Sequence, residues 1–276
     1  MIPLDYLALR LIRRFFPVPL IQWAMKLQLG VEPGLETRQP EAAADRYEEA
    51  VKAGGGRLKG KRILILGYGG YFGLAVSFLE RGVSHVVLVD PYARVKEETN
   101  LALAQRETPF LSIEDGQVIP NKEWITIDPN FLQVVTLSEH DKIDFIFSSS
   151  VLEHVSNPDE LVRDLSRMTH PEGLNVHFID LRDHFFKYPF EMLCHSDRVW
   201  SRFLNPTSNL NRQRVWDYED IFRRYFQKVE LEIFEREFAK FEKAKRRIRP
   251  EFVSGEIEAD CATRLKVKAS LPLIET

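Results

Sequence analysis

From position 62 onward, short apolar runs alternate with stretches of helical periodicity. The run over 63–66, Ile-Leu-Ile-Leu, predicts a strand covered on both faces. A helix over 72–81 closes at Gly82, a second strand over 86–89 ends at Asp90, and a helix follows over 95–106. Residues 125–128 predict a weakly marked third strand and 143–147 a fourth. The next helix has the clearest start: Asn157 as cap, Pro158 in the first helical position and Glu160 completing a capping box. Its apolar face is Leu161, Val162, Leu165 and Met168. The turn His170-Pro171-Glu172-Gly173 leads into a strand over 174–179, and residues 181–216 carry little periodicity. Asp217 then caps a helix to about 226, 229–234 alternate as a strand, a basic helix covers 238–247, and 264–269 make the last strand. This alternation predicts an α/β fold: a mostly parallel, seven-stranded sheet with helices on both faces.

The first 57 residues read differently. Leu4, Leu7, Leu11 and Phe15 sit at helical spacing until Pro17 and Pro19 stop the pattern. A second short helix fits 20–29 and a third 41–52, and Ala53-Gly54-Gly55-Gly56 marks a flexible joint. The predicted organisation is a helical extension or lid over 1–57 and one domain over 58–276.

Composition narrows the class. The chain has 276 residues, 44% hydrophobic and 29% charged, with a formal net charge of −3, which excludes a globally basic nucleic-acid binder. Cys194 and Cys261, 67 positions apart, read as free thiols, with no Cys or His at metal-ligand spacing. No segment has the roughly 18 uninterrupted apolar residues of a membrane span, and no secretory signal is evident, so a cytoplasmic location is expected.

The chemistry begins at Gly67-Tyr68-Gly69-Gly70-Tyr71-Phe72-Gly73, where the apolar strand runs through a glycine-rich turn into a helix. Gly67 and Gly69 allow a ligand to press against the main chain, and the helix start presents unpaired N–H groups. Asp90, 23 positions after Gly67, can accept hydrogen bonds from both hydroxyls of a ribose. Together these residues describe a site for an adenosine-containing cofactor. A dinucleotide fingerprint wants glycine at position 72, which is Phe72.

After the fourth strand the chain reads Ser148-Ser149-Ser150-Val151-Leu152-Glu153-His154-Val155. With the glycine turn, Asp90 and the Pro-Glu-Gly turn, this stretch resembles the class I S-adenosylmethionine-dependent methyltransferases, in particular the small-molecule type with a Leu-Glu-His-Val signature. Residues 179–184 and Asn211-Arg212-Gln213-Arg214 also resemble a bacterial subgroup associated with glycan genes. The resemblance covers about 60–272. It implies a Rossmann-like methyltransferase fold and S-adenosyl-L-methionine as cofactor. It implies further that Gly67, Tyr68 and Gly69 line the methionine end, Asp90 the ribose, Asp128 the adenine side and Ser148 the sulfonium region. Asp115 rivals Asp128. The common family motif has a third glycine where Tyr71 stands, so the turn must be shaped differently or Gly70 must compensate. An Asn/Asp-Pro-Pro-Tyr/Phe tetrapeptide, which marks amino-group methylation of adenine or glutamine, is missing after the fourth strand.

Candidate proton-handling residues are His184, His154 and Glu153. His184, with Asp180 and Asp183 to fix its tautomer, is the preferred general base for a hydroxyl acceptor; a structural hydrogen bond is the commoner duty for His154. Aromatic residues between Phe185 and Phe203 read as an acceptor wall or as packing for the N-terminal helices. Arg198, Arg202, Arg212 and Arg214 read as acceptor anchors or as a solvated face. The expected reaction is methyl transfer to a hydroxyl or similar nucleophile of a small molecule or glycan, without metal or nucleic acid. Peripheral membrane contact through the N-terminal helix is a second use of that segment. The rival readings are an NADP-dependent oxidoreductase, for which no Tyr-x-x-x-Lys follows the fourth strand, and a non-catalytic methyltransferase-like subunit.

Overall fold

The computed structural model describes residues 3–15, 35–106, 108–128, 142–185, 187–206 and 208–273. The helix expected over 20–29 lies outside the described residues.

Seven strands form one sheet: β1 (Arg62–Leu66), β2 (His85–Val89), β5 (Ile125–Asp128), β6 (Ile143–Ser149), β7 (Thr169–Asp180), β8 (Phe226–Arg236) and β9 (Ala262–Pro272), in the order β5-β2-β1-β6-β7-β9-β8. The first five are mutually parallel, and β9 runs antiparallel to both its neighbours. The expected Rossmann-like α/β sheet is present.

Successive strand side chains point to opposite faces, so each apolar strand feeds two cores. Ile63, Ile65, Phe145, Phe147, Val176 and Phe178 bury against helices α2 (Pro40–Ala53), α3 (Gly73–Glu80) and α4 (Glu97–Ala104). Leu64, Leu66, Val87, Val89, Ile146 and Ile179 bury against α5 (Pro158–Met168) and α6 (Val215–Tyr225). Strands covered on both sides cannot alternate with polar residues, which explains their unbroken apolar sequence. The cap of α5 is as expected at one point: Asn157 Oδ1 accepts from the Glu160 N–H at 3.3 Å. The reciprocal bond differs, because the Asn157 side-chain amide donates to the Glu160 carboxylate.

Helix α2 belongs to the core. Tyr47 is fully buried and stacks on Phe147 with ring centroids 4.4 Å apart. The glycines expected to form a flexible joint make a hydrogen-bonded helix end, with Gly54 and Gly56 N–H both donating to the Val51 carbonyl at 3.0 Å.

Four further expectations change. The supposed turn at 170–173 is strand, part of β7, where an irregular register opposite Ile143–Phe145 absorbs it. Helix α6 begins at Val215; Asp217 is its third residue, and its carboxylate accepts the Arg214 N–H at 2.8 Å. A hairpin passed over in the sequence joins β3 (Leu111–Glu114) to β4 (Gln117–Pro120). Its two-residue turn Asp115-Gly116 has φ of 50° and 78°, which is the Asp-Gly turn that matches strand twist. The low-periodicity stretch holds short helical turns, among them Glu191–Cys194 and Trp200–Leu204. With α7 (Phe238–Ala244) these turns build a third apolar cluster around Phe190, Trp200, Leu210 and Phe241.

Helix α1 (Leu4–Phe15) docks on this third cluster through Tyr6, Leu7 and Arg10, and the rest of its apolar stripe stays outside. Tyr6 and Arg10 are fully buried, whereas Leu4, Leu11, Ile12 and Phe15 are exposed. Among the described residues no helix is long and apolar enough to cross a membrane.

Candidate active site

The register of the sheet collects the cofactor candidates. Leu66 lies opposite Val89 on one side and Ser148 on the other, and Val89 lies opposite Asp128. Gly67, Asp90, Asp128 and Ser148 therefore leave the sheet along one row, at the C-terminal ends of adjacent parallel strands, where open α/β sheets bind ligands. Asp115, the rival of Asp128, sits in the hairpin turn instead.

The turn after β1 is shaped by three glycines with positive φ, Gly67 at 81°, Gly69 at 63° and Gly70 at 79°. Position 70 admits only glycine for a steric reason: a Cβ there would lie 1.9 Å from the Arg94 carbonyl oxygen. Buried Asn100 locks the turn, donating to the Gly70 carbonyl at 2.8 Å and accepting the Phe72 N–H at 2.9 Å. Asp90 closes the rim by accepting the N–H groups of Gly69 at 3.1 Å and Tyr92 at 3.0 Å. A carboxylate has about four acceptor sites, so these bonds orient it and leave capacity for ribose hydroxyls. The bare backbone and the oriented carboxylate fit an adenosine cofactor. Tyr68 is buried, its ring stacked on Phe72 and its hydroxyl pKa raised by burial and by the charge of Asp90. Ser148 is buried too, with its hydroxyl 2.7 Å from His177 Nδ1.

Beyond the ends of β6 and β7 lies a second group. Ser150, at φ 52°, bends the chain into a helical turn over Leu152–His154. Asn211 holds that turn, its side-chain amide donating to the carbonyls of Leu152 at 2.6 Å and Val155 at 3.0 Å. Asn209 donates to the His154 carbonyl at 2.9 Å. His154 Nδ1 lies 2.9 Å from the Ser208 carbonyl and 2.8 Å from that of Asn209. Two carbonyl acceptors require Nδ1 to carry the proton, which leaves the lone pair of neutral His154 on Nε2. His154 thus has the structural bond expected of it and still presents a basic nitrogen. Its ring meets His184 edge to face at 4.9 Å. Glu153 is 3% exposed, and neither carboxylate oxygen makes a hydrogen bond. Burial, then the charge of Asp180, push its pKa well above the carboxylate range. One polar atom from each of Glu153, His154 and His184 lies within 4.8 Å of the others.

The residues expected to orient His184 are engaged elsewhere. Asp180 is paired with Arg182, at 2.6 Å, and Asp183 is buried against Arg10 and Tyr6. Arg212 and Arg214 are not acceptor anchors. Arg212 is buried against the carbonyls of Met192 and His195 and the Asp197 carboxylate. Arg214, fully buried, donates to the carbonyls of Leu181, Asp260 and Ala262. The aromatic stretch after His184 packs on α1, with Tyr6 edge-on to Phe185 and Tyr188 at 5.9 Å. Arg247, in the basic run, is bonded to Glu191, and Lys240 and Lys245 pair with Glu237 and Glu242.

Comparison with known proteins agrees with this geometry. A family model described as a methyltransferase domain matches residues 35–240. No curated protein sequence matches the chain. Among solved structures, the chain is similar to an S-adenosylmethionine-dependent methyltransferase from Mesorhizobium loti at 21% identity, covering 83% of this chain and 99% of that one, with a TM-score of 0.47. It is also similar to phosphoethanolamine N-methyltransferase 2 of Haemonchus contortus in complex with S-adenosyl-L-methionine. That match has 16% identity, 83% coverage of this chain and 53% of that one, and a TM-score of 0.49. A third similar chain comes from the complex of the Haloferax volcanii Trm112 methyltransferase activator with a methyltransferase (14% identity, 93% and 97% coverage, TM-score 0.47). The family match sets aside the oxidoreductase reading: with its strand order, glycine turn and Asp90, the chain belongs to the methyltransferase-domain family and is a class I S-adenosylmethionine-dependent methyltransferase.

Proposed function

We propose that this enzyme methylates a hydroxyl, or a similar nucleophile, of a small molecule or glycan. The observation that carries the reading is the meeting of Glu153, His154 and His184 beyond the same strand ends that present Gly67 and Asp90. When bound, S-adenosyl-L-methionine supplies an electrophilic methyl group on a sulfonium. Gly67, Tyr68 and Gly69 would line its methionine end, with Asp90 at the ribose, Asp128 on the adenine side and Ser148 near the sulfur, through its backbone because its hydroxyl faces His177. The chain must then align the acceptor and assist loss of its proton, because a hydroxyl has a pKa far above neutral. The three side chains stand together at this edge, and Asp183, engaged with Arg10 and Tyr6, does not orient His184. The test is a panel of hydroxylated metabolites and glycans assayed for S-adenosylhomocysteine release. Turnover confined to amines would overturn the oxygen-acceptor reading.

Helix α1 serves as a cover for this site and as a surface contact, whereas α2, in the same segment over 1–57, is core structure. Support comes from α1, which is anchored beside His184 by buried Tyr6 and Arg10 and turns Leu4 and Phe15, 78% and 63% exposed, outward. An exposed apolar stripe on a docked helix suits a membrane surface. Binding of the full chain to anionic vesicles, lost in Leu4→Glu with Phe15→Glu, would support this contact. Equal binding by the variant would remove it.

A further inference from the structure

We propose that Glu153, His154 and His184 form a binding site for a divalent first-row transition ion. Their sequence spacing carries no metal-ligand signature, and only the fold brings them together.

Three independent observations support the site. One carboxylate and two imidazoles, each offering an atom within 4.8 Å of the others, make a ligand set suited to zinc, cobalt, manganese or iron(II). The carboxyl group of Glu153 is buried and neither oxygen makes a hydrogen bond, so both oxygens are left to a ligand, and a cation bound there would let the group ionise. Arg182, whose charge reaches Glu153, is hydrogen-bonded to Asp180 and Glu235. His154 donates its Nδ1 proton to backbone carbonyls, which is how metal-binding imidazoles are held so that the other nitrogen ligates.

The surroundings are rigid. Asn211 and Asn209 bind four atoms of the Leu152–Val155 backbone and ring. Three protein ligands leave coordination positions open, as catalytic sites require. The catalytic role rests on the reading that this edge receives the acceptor. There, an acceptor oxygen would occupy an open position. Its hydroxyl proton, made more acidic by the ion, would leave to water before attack on the methyl group.

The test uses the full-length protein, stripped with a chelator and then titrated with Co2+ alone. Expected are one equivalent bound, visible absorption bands typical of nitrogen and oxygen ligation, and a raised melting temperature. Glu153→Gln and His184→Ala should each weaken Co2+ binding more than about 100-fold, beyond what loss of an outer-shell partner costs. His184 lies in the loop after β7, so His184→Ala gives a folded comparison if Glu153→Gln does not fold. Calorimetry with S-adenosyl-L-methionine on the same samples separates two failures. Cofactor binding without Co2+ binding overturns the metal site and leaves the methyl-transfer reading standing. Co2+ binding that both variants retain places the ion elsewhere and also overturns the proposal.

Discussion

Arg10 and Asp183, 173 positions apart in the chain, form an ion pair in which neither side chain reaches solvent. The Tyr6 hydroxyl donates to the same carboxylate at 2.6 Å, and the Phe185 N–H donates to it at 3.0 Å. The N-terminal helix is thereby fastened to the residue immediately before His184.

Arg10→Ala leaves Asp183 buried without its cation and should destabilise the protein by about 3–5 kcal/mol in urea unfolding. Asp183→Asn in that background should recover part of the loss, because the amide needs no counter-charge. A double variant as unstable as Arg10→Ala would show that the charge is not what matters. Deleting residues 1–15 should lower turnover as well as stability, since the anchor adjoins the acceptor side.

Asp90→Ala should weaken S-adenosyl-L-methionine by roughly 2–3 kcal/mol in calorimetry, the value of charge-assisted bonds to a ribose. Asp90→Asn retains one acceptor for the Gly69 and Tyr92 N–H groups and should fall between. Unchanged affinity in both would move the cofactor off this row.

Two glycines with the same φ of 79° separate strain from collision. Gly55→Ala meets no atom within 4 Å and should cost only the left-handed backbone penalty, about 1–2 kcal/mol. Gly70→Ala adds a contact 1.9 Å from the Arg94 carbonyl and should also abolish cofactor binding. Equal effects of the two substitutions on stability and binding would contradict the close approach.

His177 is fully buried, and burial pushes its pKa down from 6.5 to about 3. The unfolded chain binds that proton between those values and the folded chain does not. The contribution of neutral His177 to stability is therefore complete above pH 6.5 and is lost progressively as the pH falls toward 3. His177→Gln should flatten that part of the stability profile in chemical denaturation. An unchanged slope would assign the acid sensitivity to other groups.

His184→Ala should cut turnover with an identified acceptor at least about 100-fold and leave S-adenosyl-L-methionine affinity unchanged. Full activity would mean that alignment alone drives the transfer.

Most of the sheet was legible because its strands are buried on both faces and therefore read as unbroken apolar runs. The row of strand ends was legible at Gly67, Asp90 and Ser148, which close such runs, and less so at Asp128, whose strand Ile-Thr-Ile-Asp is half exposed. The acceptor side was not. Asn209 and Asn211 act through chain 55 to 59 positions away, and a side chain that caps a distant carbonyl leaves no local period. Asn100 is hidden likewise inside an ordinary helix. Arg212 and Arg214 misled because a buried arginine bonded to carbonyls has the same letter as a surface one. The hairpin was readable from Asp115-Gly116, a two-residue turn signal that was available. The direction of α1 was not readable, because its docked face carries Tyr6 and Arg10 where an apolar stripe was the natural choice.

The position of β9 sets an order of events during synthesis. Strand β8 reaches the rest of the sheet only through β9, which lies between it and β7. On the ribosome β8 emerges first and has no edge to join until residues 262–272 follow it out. Until then β7 has no partner on that side, and β8 has no strand of the sheet to pair with. Glu230 and Glu232 of β8 pair with Lys268 and Lys266 across the finished ladder, and charged side chains on an unpaired strand oppose edge-to-edge association.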